Sequence, residues 1–215
     1  MYLVLEWCDG QPLTQCLTDR PMSYKRALHI VDQILEAIEA THRAGFSHCD
    51  ISPNNIMVTH WETETPTIKL IDFGLAKPIS EMERCHTHNG LIRGTPTCMS
   101  PYRIRGEHKD QYSDYYALGV IFYRCLTGRY PFKGESTVET LRAHLRGVYP
   151  PLCAVTDLPH SHYFQAFIDR LLDPEPSNLF LPRVQTQLQE LRDALKRALC
   201  GHSVFSQTGD TPLAL

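Results

Sequence analysis

Three oxygen-bearing side chains in the 215-residue chain set its chemical possibilities. Asp50 and Asn55 lie in His48-Cys49-Asp50-Ile51-Ser52-Pro53-Asn54-Asn55-Ile56-Met57, and Asp72 lies in Ile71-Asp72-Phe73-Gly74. The first two precede a short β-branched and aliphatic run, Ile56 to Thr59. The third closes a second such run, Thr67 to Ile71. Pairing of these runs as a hairpin with a polar loop brings all three groups to one end of it. Oxygen ligands with room for water suit Mg²⁺ bound to phosphates. Phosphoryl transfer asks a protein chiefly for positioning, charge neutralisation and an acceptor for the nucleophile's proton.

The elements that must position these groups are mostly helical. Tyr2 to Leu5 reads as a strand, followed by turn chemistry at Asp9-Gly10. From Lys25 to Arg43, Leu28, Val31, Leu35 and Ile38 recur at helical spacing, and Ala27, Ile30 and Ile34 widen the stripe until Gly45 stops it. A stripe that broad predicts burial on more than one side. Asp72 to Tyr112 is long, rich in Gly and Pro and without periodicity, the signature of a functional loop. Helices are predicted from Asp114 to Leu126, from a Ser136–Glu139 capping box through Leu145, around Phe164, Phe167, Ile168 and Leu171, and along Leu188, Leu191, Leu195 and Leu199. The tail from Gly201 is expected to be disordered. The fold class is mainly α with a small β-hairpin.

Composition excludes several functions. Net charge is −3 with His neutral, and no run of Lys or Arg marks a nucleic-acid surface. The apolar stretch Ala117 to Tyr123 is far short of the roughly 20 residues that span a bilayer. Residues 1–8 lack a signal-peptide pattern, and the eight cysteines form no framework, so reduced thiols and a cytoplasmic location are expected. Cys85-His86-Thr87-His88, with His160 and His162, fits no zinc-ligand spacing.

The segment His48 to Asn55 resembles the H-R-D-x-x-x-x-N catalytic loop of eukaryotic-type (Hanks-type) protein kinases, and Asp72-Phe73-Gly74 resembles their D-F-G motif. Gly94-Thr95-Pro96-Thr97-Cys98-Met99-Ser100-Pro101 is similar to the loop before the A-P-E position, and Asp114-Tyr115-Tyr116-Ala117-Leu118-Gly119 to D-x-W-S-x-G. Leu126 to Phe132 matches L-x-G-x-x-P-F, and Leu171 to Pro174 matches L-L-x-x-D-P loosely. The resemblance covers Met1 to Leu199 and implies a kinase-like fold, with hinge and C-terminal lobe over residues 1–200. It implies ATP and Mg²⁺ as cofactors and a protein substrate. Asp50 would be the catalytic base, Asn55 and Asp72 the metal ligands, and Thr95 a contact of Asp50 that favours serine/threonine over tyrosine specificity. Phe73 would pack behind Asp72. Leu5, Glu6 and Cys8 would form the nucleotide hinge and Met57 the adenine floor, while Asp114 would brace the catalytic loop.

The chain departs from the pattern at several places. No Gly-rich loop, strand Lys or helix Glu precedes Met1, so the sequence presents a C-lobe from which weak ATP binding is expected. Cys49 replaces the Arg of H-R-D, which removes the receptor for activation-loop phosphorylation; it reads as a neutral filler. Ser52 replaces the catalytic-loop Lys, and the loss of such a donor can cost about 10²–10³ in rate. Tyr102 stands where A-P-E has Glu, and Glu175-Pro176-Ser177-Asn178 lack its partner Arg. A pseudokinase or interaction module is the alternative, and small-molecule kinases share the H-x-D-x-x-x-x-N loop. Intact Asp50, Asn55 and Asp72 argue against the first, and the Gly94–Pro101 loop against the second.

Overall fold

A computed structural model describes residues 6–79, 93–107, 110–175 and 184–203. The expected strand at Tyr2–Leu5 and the tail from residue 204 lie outside these residues. The described chain opens with β1 (Gln11–Pro12) and α1 (Leu13–Cys16). Gly10 precedes them at φ +111°, and a Cβ there would sit 2.2 Å from the Val58 carbonyl oxygen. Only glycine permits that approach.

The long periodic segment folds as α2 (Tyr24–Arg43). Ser23 caps it by accepting from the Arg26 N–H at 3.3 Å, and Gly45 follows its end at φ +86°. Ile30, Val31, Ile34 and Ile38 are fully buried. The expected hairpin forms from β3 (Ile56–Thr59) and β4 (Thr67–Leu70), with Ile56 opposite Leu70. β1 adds a third strand on the other side of β3, giving the order β1-β3-β4. Pro12 is tolerated because β1 is an edge. A second small sheet joins β2 (Phe46–Ser47) to β5 (Lys77–Pro78) and so ties the start of the loop that carries Asp50 to the chain after Gly74.

The remainder is helical. α3 (Pro101–Arg105) lies inside the region read as a loop, and α4 (Asp110–Thr127) starts at Asp110 rather than Asp114, so only its first turn falls there. α5 (Thr137–Arg146), α6 (Leu152–Val155), α7 (Ser161–Leu171) and α8 (Val184–Ser203) follow. α8 thus runs past Gly201, where the sequence suggested disorder. Ser136 caps α5 as expected, but the Glu139 carboxylate reaches the N–H of Glu135, not that of Ser136.

α4 is the centre of the core, packed between α2 and α7. Its Leu118, Val120, Ile121 and Phe122 are wholly buried. The Phe122 ring meets Phe164 and Phe167 edge-on at 6.0 and 6.1 Å; truncating such a side chain to Ala costs about 3–5 kcal/mol. Leu188 and Leu191 of α8 are buried, and Arg192 bonds Asp32 of α2 at 2.7 Å. The side chains of Leu195 and Leu199 lie outside the described residues. Among the described residues no helix is long and apolar enough to cross a membrane.

Candidate functional site

The loop from Phe46 to Asn55 is irregular, so its polar backbone groups need partners from elsewhere in the fold. Asp114, on α4 and 1% exposed, meets two of them and a side chain of α2. Its carboxylate accepts from the His48 N–H at 2.9 Å, the Cys49 N–H at 2.9 Å and His42 Nε2 at 2.8 Å. These contacts hold Cys49 at φ +67°, a left-handed conformation few non-glycine residues adopt. His48 is fully buried. Its Nδ1 accepts from the Asp50 N–H at 3.3 Å, so its Nε2 carries the proton donated to the Ile71 carbonyl at 3.1 Å. One ring therefore links the turn before β3 to the residue after β4.

Cys49 is a neutral component of this turn. Burial, followed by the nearby Asp110 and Asp114 carboxylates, pushes its thiol up to about 12. It donates to the Ser47 carbonyl at 3.5 Å. The filler reading of this residue fits that environment.

Asp50 is held through both carboxylate oxygens. Oδ2 accepts from Asn55 Nδ2 at 3.0 Å, and Nδ2 also bonds the Asp50 carbonyl at 2.8 Å. Oδ1 accepts from the Thr95 N–H at 3.0 Å and the Thr95 hydroxyl at 3.1 Å. The geometry thus brings Asp50 and Asn55 of one loop together with Thr95 from a distant stretch of chain. Asp72 is exposed at φ +64°, with Oδ1 accepting from the Gly74 N–H at 3.1 Å. The Ile71 N–H donates to the Asn55 carbonyl at 2.9 Å, which fixes the backbone beside Asp72 to the residue that would share its cation. Phe73 packs on His48 with ring centroids 4.7 Å apart but stays half exposed. Ser52 is fully buried, and its hydroxyl has no hydrogen-bond partner. That hydroxyl therefore makes no hydrogen bond to Asp50, Asn55 or Thr95.

The donor set fits Mg²⁺. Both Nδ2 bonds of Asn55 go to Asp50, leaving its Oδ1 for a cation, and Asp72 keeps Oδ2. Two hard oxygen ligands completed by phosphate oxygens and water are the usual arrangement for this ion. Among the described residues no group of three or more His, Cys, Asp or Glu could hold a metal by itself. Cys85, His86 and His88 lie outside them. Ile56 and Val58 of β3 face the core and Met57 faces the opposite surface. Glu6 bonds Lys69 at 2.5 Å, and Lys69 pairs with Met57 across the hairpin. The hinge stretch containing Glu6 and half-buried Cys8 therefore runs beside Met57. Leu5 lies outside the described residues.

Several participants carry no signal in the motifs. Asp110, 2% exposed, bonds Lys77 of β5 at 3.4 Å and so joins α4 to the sheet beneath the catalytic loop. Arg103 donates through Nη2 to the Arg93 carbonyl at 2.9 Å. Tyr102 is buried, and the Arg105 guanidinium lies 5.8 Å from its ring. Arg105 bonds Glu175 at 2.7 Å and Glu107 at 3.6 Å. Burial first, then the Glu175 and Glu107 carboxylates, push the Tyr102 phenol up to about 12.

A helical lobe whose small hairpin presents an anchored Asp, an Asn bonded to it and a second Asp defines the C-terminal lobe of a protein kinase. The protein kinase domain model matches residues 1–181, and the chain belongs to that family. It is 34% identical over 201 residues to the serine/threonine-protein kinase Pkn1 of Myxococcus xanthus, covering 94% of this chain and 28% of that protein. It is 36% identical over 146 residues to PknB of Mycobacterium tuberculosis, covering 67% and 23%. To PrkC of Bacillus subtilis it is 38% identical over 150 residues, covering 69% and 22%. The chain spans about a quarter of the length of these curated relatives.

Proposed function

We propose that residues 1–200 form one domain carrying the phosphotransfer machinery of a serine/threonine protein kinase, which moves the γ-phosphoryl of ATP to a protein hydroxyl. The observation that carries this reading is the two-sided grip on Asp50 by Asn55 and Thr95. An Asp held at both oxygens is preorganised to orient an acceptor hydroxyl and take its proton. Asn55 Oδ1 and Asp72 would hold Mg²⁺, which neutralises charge on the transferring group when bound. Met57, Glu6, Cys8 and Leu5 would line the adenine side. Ser52 supplies no positive charge, so turnover is expected to be slow. The serine/threonine names of the relatives and the Thr95 contact favour those hydroxyls over tyrosine. Cys8, Cys16, Cys49, Cys98, Cys125 and Cys153 are free, which supports a reducing, cytoplasmic setting.

The test is Mg²⁺-dependent transfer from labelled ATP to a pool of Ser-, Thr- and Tyr-containing peptides, in wild type, Asp50→Asn and Asp72→Ala. Label on Ser or Thr, lost in both variants while Asp50→Asn retains nucleotide affinity, is expected. Equal turnover in Asp50→Asn, or label on Tyr alone, would overturn the assignment.

A further inference from the structure

Thr95 owes its place to a residue outside every motif. It follows Gly94, whose φ of +123° lies where side chains are rarely tolerated. A glycine that free does not by itself hold Thr95 against Asp50. The restraint comes from the other side of the loop. Ser100 caps α3 by accepting from the Arg103 N–H at 3.3 Å, and its hydroxyl bonds that of Ser113 on α4 at 2.6 Å. Arg103 therefore projects from a base fixed to the central helix. Its Nη2 reaches back to the Arg93 carbonyl at 2.9 Å, closing residues 93–103 into a ring.

Gly94 lies between two grips. Asp50 takes Thr95 on one side, and Arg103 takes Arg93 on the other. A Cβ at Gly94 would lie 3.5 Å from Asp50 Oδ1 and 3.8 Å from Arg103 Nη2, so carboxylate and guanidinium flank the same glycine. The other half of the guanidinium is left over: Nη1 is buried without a hydrogen-bond partner. A buried orphan donor works against stability, so fold stability alone does not account for this placement.

We infer that Arg103 is a positioning residue for phosphotransfer: its clasp on Arg93 fixes the Gly94 hinge, which holds Thr95 on Asp50 and keeps Asp50 aimed at the acceptor hydroxyl. This rests on the proposed kinase reading. In the 215-residue chain, Arg103→Met removes the clasp, and Arg103→Lys keeps the charge and one donor.

The test measures amide exchange at Thr95, steady-state phosphotransfer, and the Arg103→Met/Thr95→Ala double variant, with circular dichroism to establish folding. Arg103→Met should speed Thr95 exchange about tenfold and lower kcat about tenfold, with KM for ATP unchanged. Arg103→Lys should lie between, and it replaces Arg103→Met if the latter does not fold. The double variant should be no slower than Thr95→Ala. Unchanged Thr95 exchange, or losses that multiply in the double variant, would overturn the inference. A wild-type chain without phosphotransfer would refute the kinase reading and leave the exchange measurement to decide the role of Arg103.

Discussion

Replacing Asp114 by Asn probes the support of the catalytic loop with a single nitrogen-for-oxygen exchange. The carboxylate receives three donors, two at Oδ2 and one at Oδ1. An amide offers one oxygen, and its NH₂ must then face at least one backbone N–H. Hydrogen bonds to a charged group contribute about 1.5–3 kcal/mol, and a buried N–H without an acceptor costs about 1–3 kcal/mol. With side-chain volume unchanged, a loss of about 3 kcal/mol is expected. For a chain of this size that lowers the thermal midpoint by about 6–12 °C. The local effect should exceed the global one, since Cys49 is kept left-handed by the same carboxylate and precedes Asp50. A displacement of Asp50 by about 1 Å can cost roughly 100-fold in turnover. The assays are thermal unfolding followed by circular dichroism, and phosphotransfer under saturating ATP. A midpoint within about 1 °C of wild type would refute the reasoning, because a carboxylate receiving three donors cannot be exchanged at so little cost.

Two further outcomes follow from buried polar groups. Burial lowers the His144 imidazole to about 4, below its ordinary value of 6.5, with Nδ1 bonded to the Tyr116 hydroxyl at 2.7 Å. The unfolded chain then binds the proton first, so stability is full above about pH 6.5 and declines as pH falls toward 4. Between pH 7 and 5 this site should account for about 2 kcal/mol of lost stability, absent in His144→Gln; urea titrations with equal pH slopes for both proteins would contradict it. Ser52→Ala removes a buried hydroxyl that bonds nothing, so it should change stability by less than about 1 kcal/mol and leave turnover intact. A large fall in kcat would place Ser52 among the groups that act in the reaction.

Legibility of this fold from sequence followed the strength of the local pattern. α2 and α7 announce themselves because a buried stripe at helical period admits one reading. The β3–β4 hairpin was equally plain, since each strand is a short β-branched run. The first turn of α4 was not: Asp110 to Ser113 is polar, and its burial depends on the Asp110–Lys77 pair between distant segments. β1 is two residues with a proline, visible only through its pairing with β3. The residues at Asp50, its Thr95 contact and the bracing by Asp114 were readable through motif resemblance, whereas the paired Asn55 bonds to Asp50 were not. Ser52 occupies a catalytic position in sequence and a closed interior position in space. Arg103 belongs to no pattern, because the Arg93 carbonyl it holds becomes its neighbour only once the loop has closed.

The cluster around Tyr102 also limits which amino-acid changes are open to this lobe, and in what order. The family pattern places a glutamate at this position with an arginine downstream; here an aromatic ring fills the site, and the cation, Arg105, stands beside it and faces Glu175. Changing Tyr102 to glutamate alone would bring a buried carboxylate among Glu175, Glu107 and Asp173, with Arg105 the cation beside it among the described residues. Replacing Glu175 by arginine first would set two guanidinium groups against each other beside the tyrosine. Each single step is opposed by like charge, and only the paired exchange is open. Tyr102, Arg105 and Glu175 thus form a linked set, in which a change of charge at one position calls for a matching change at another.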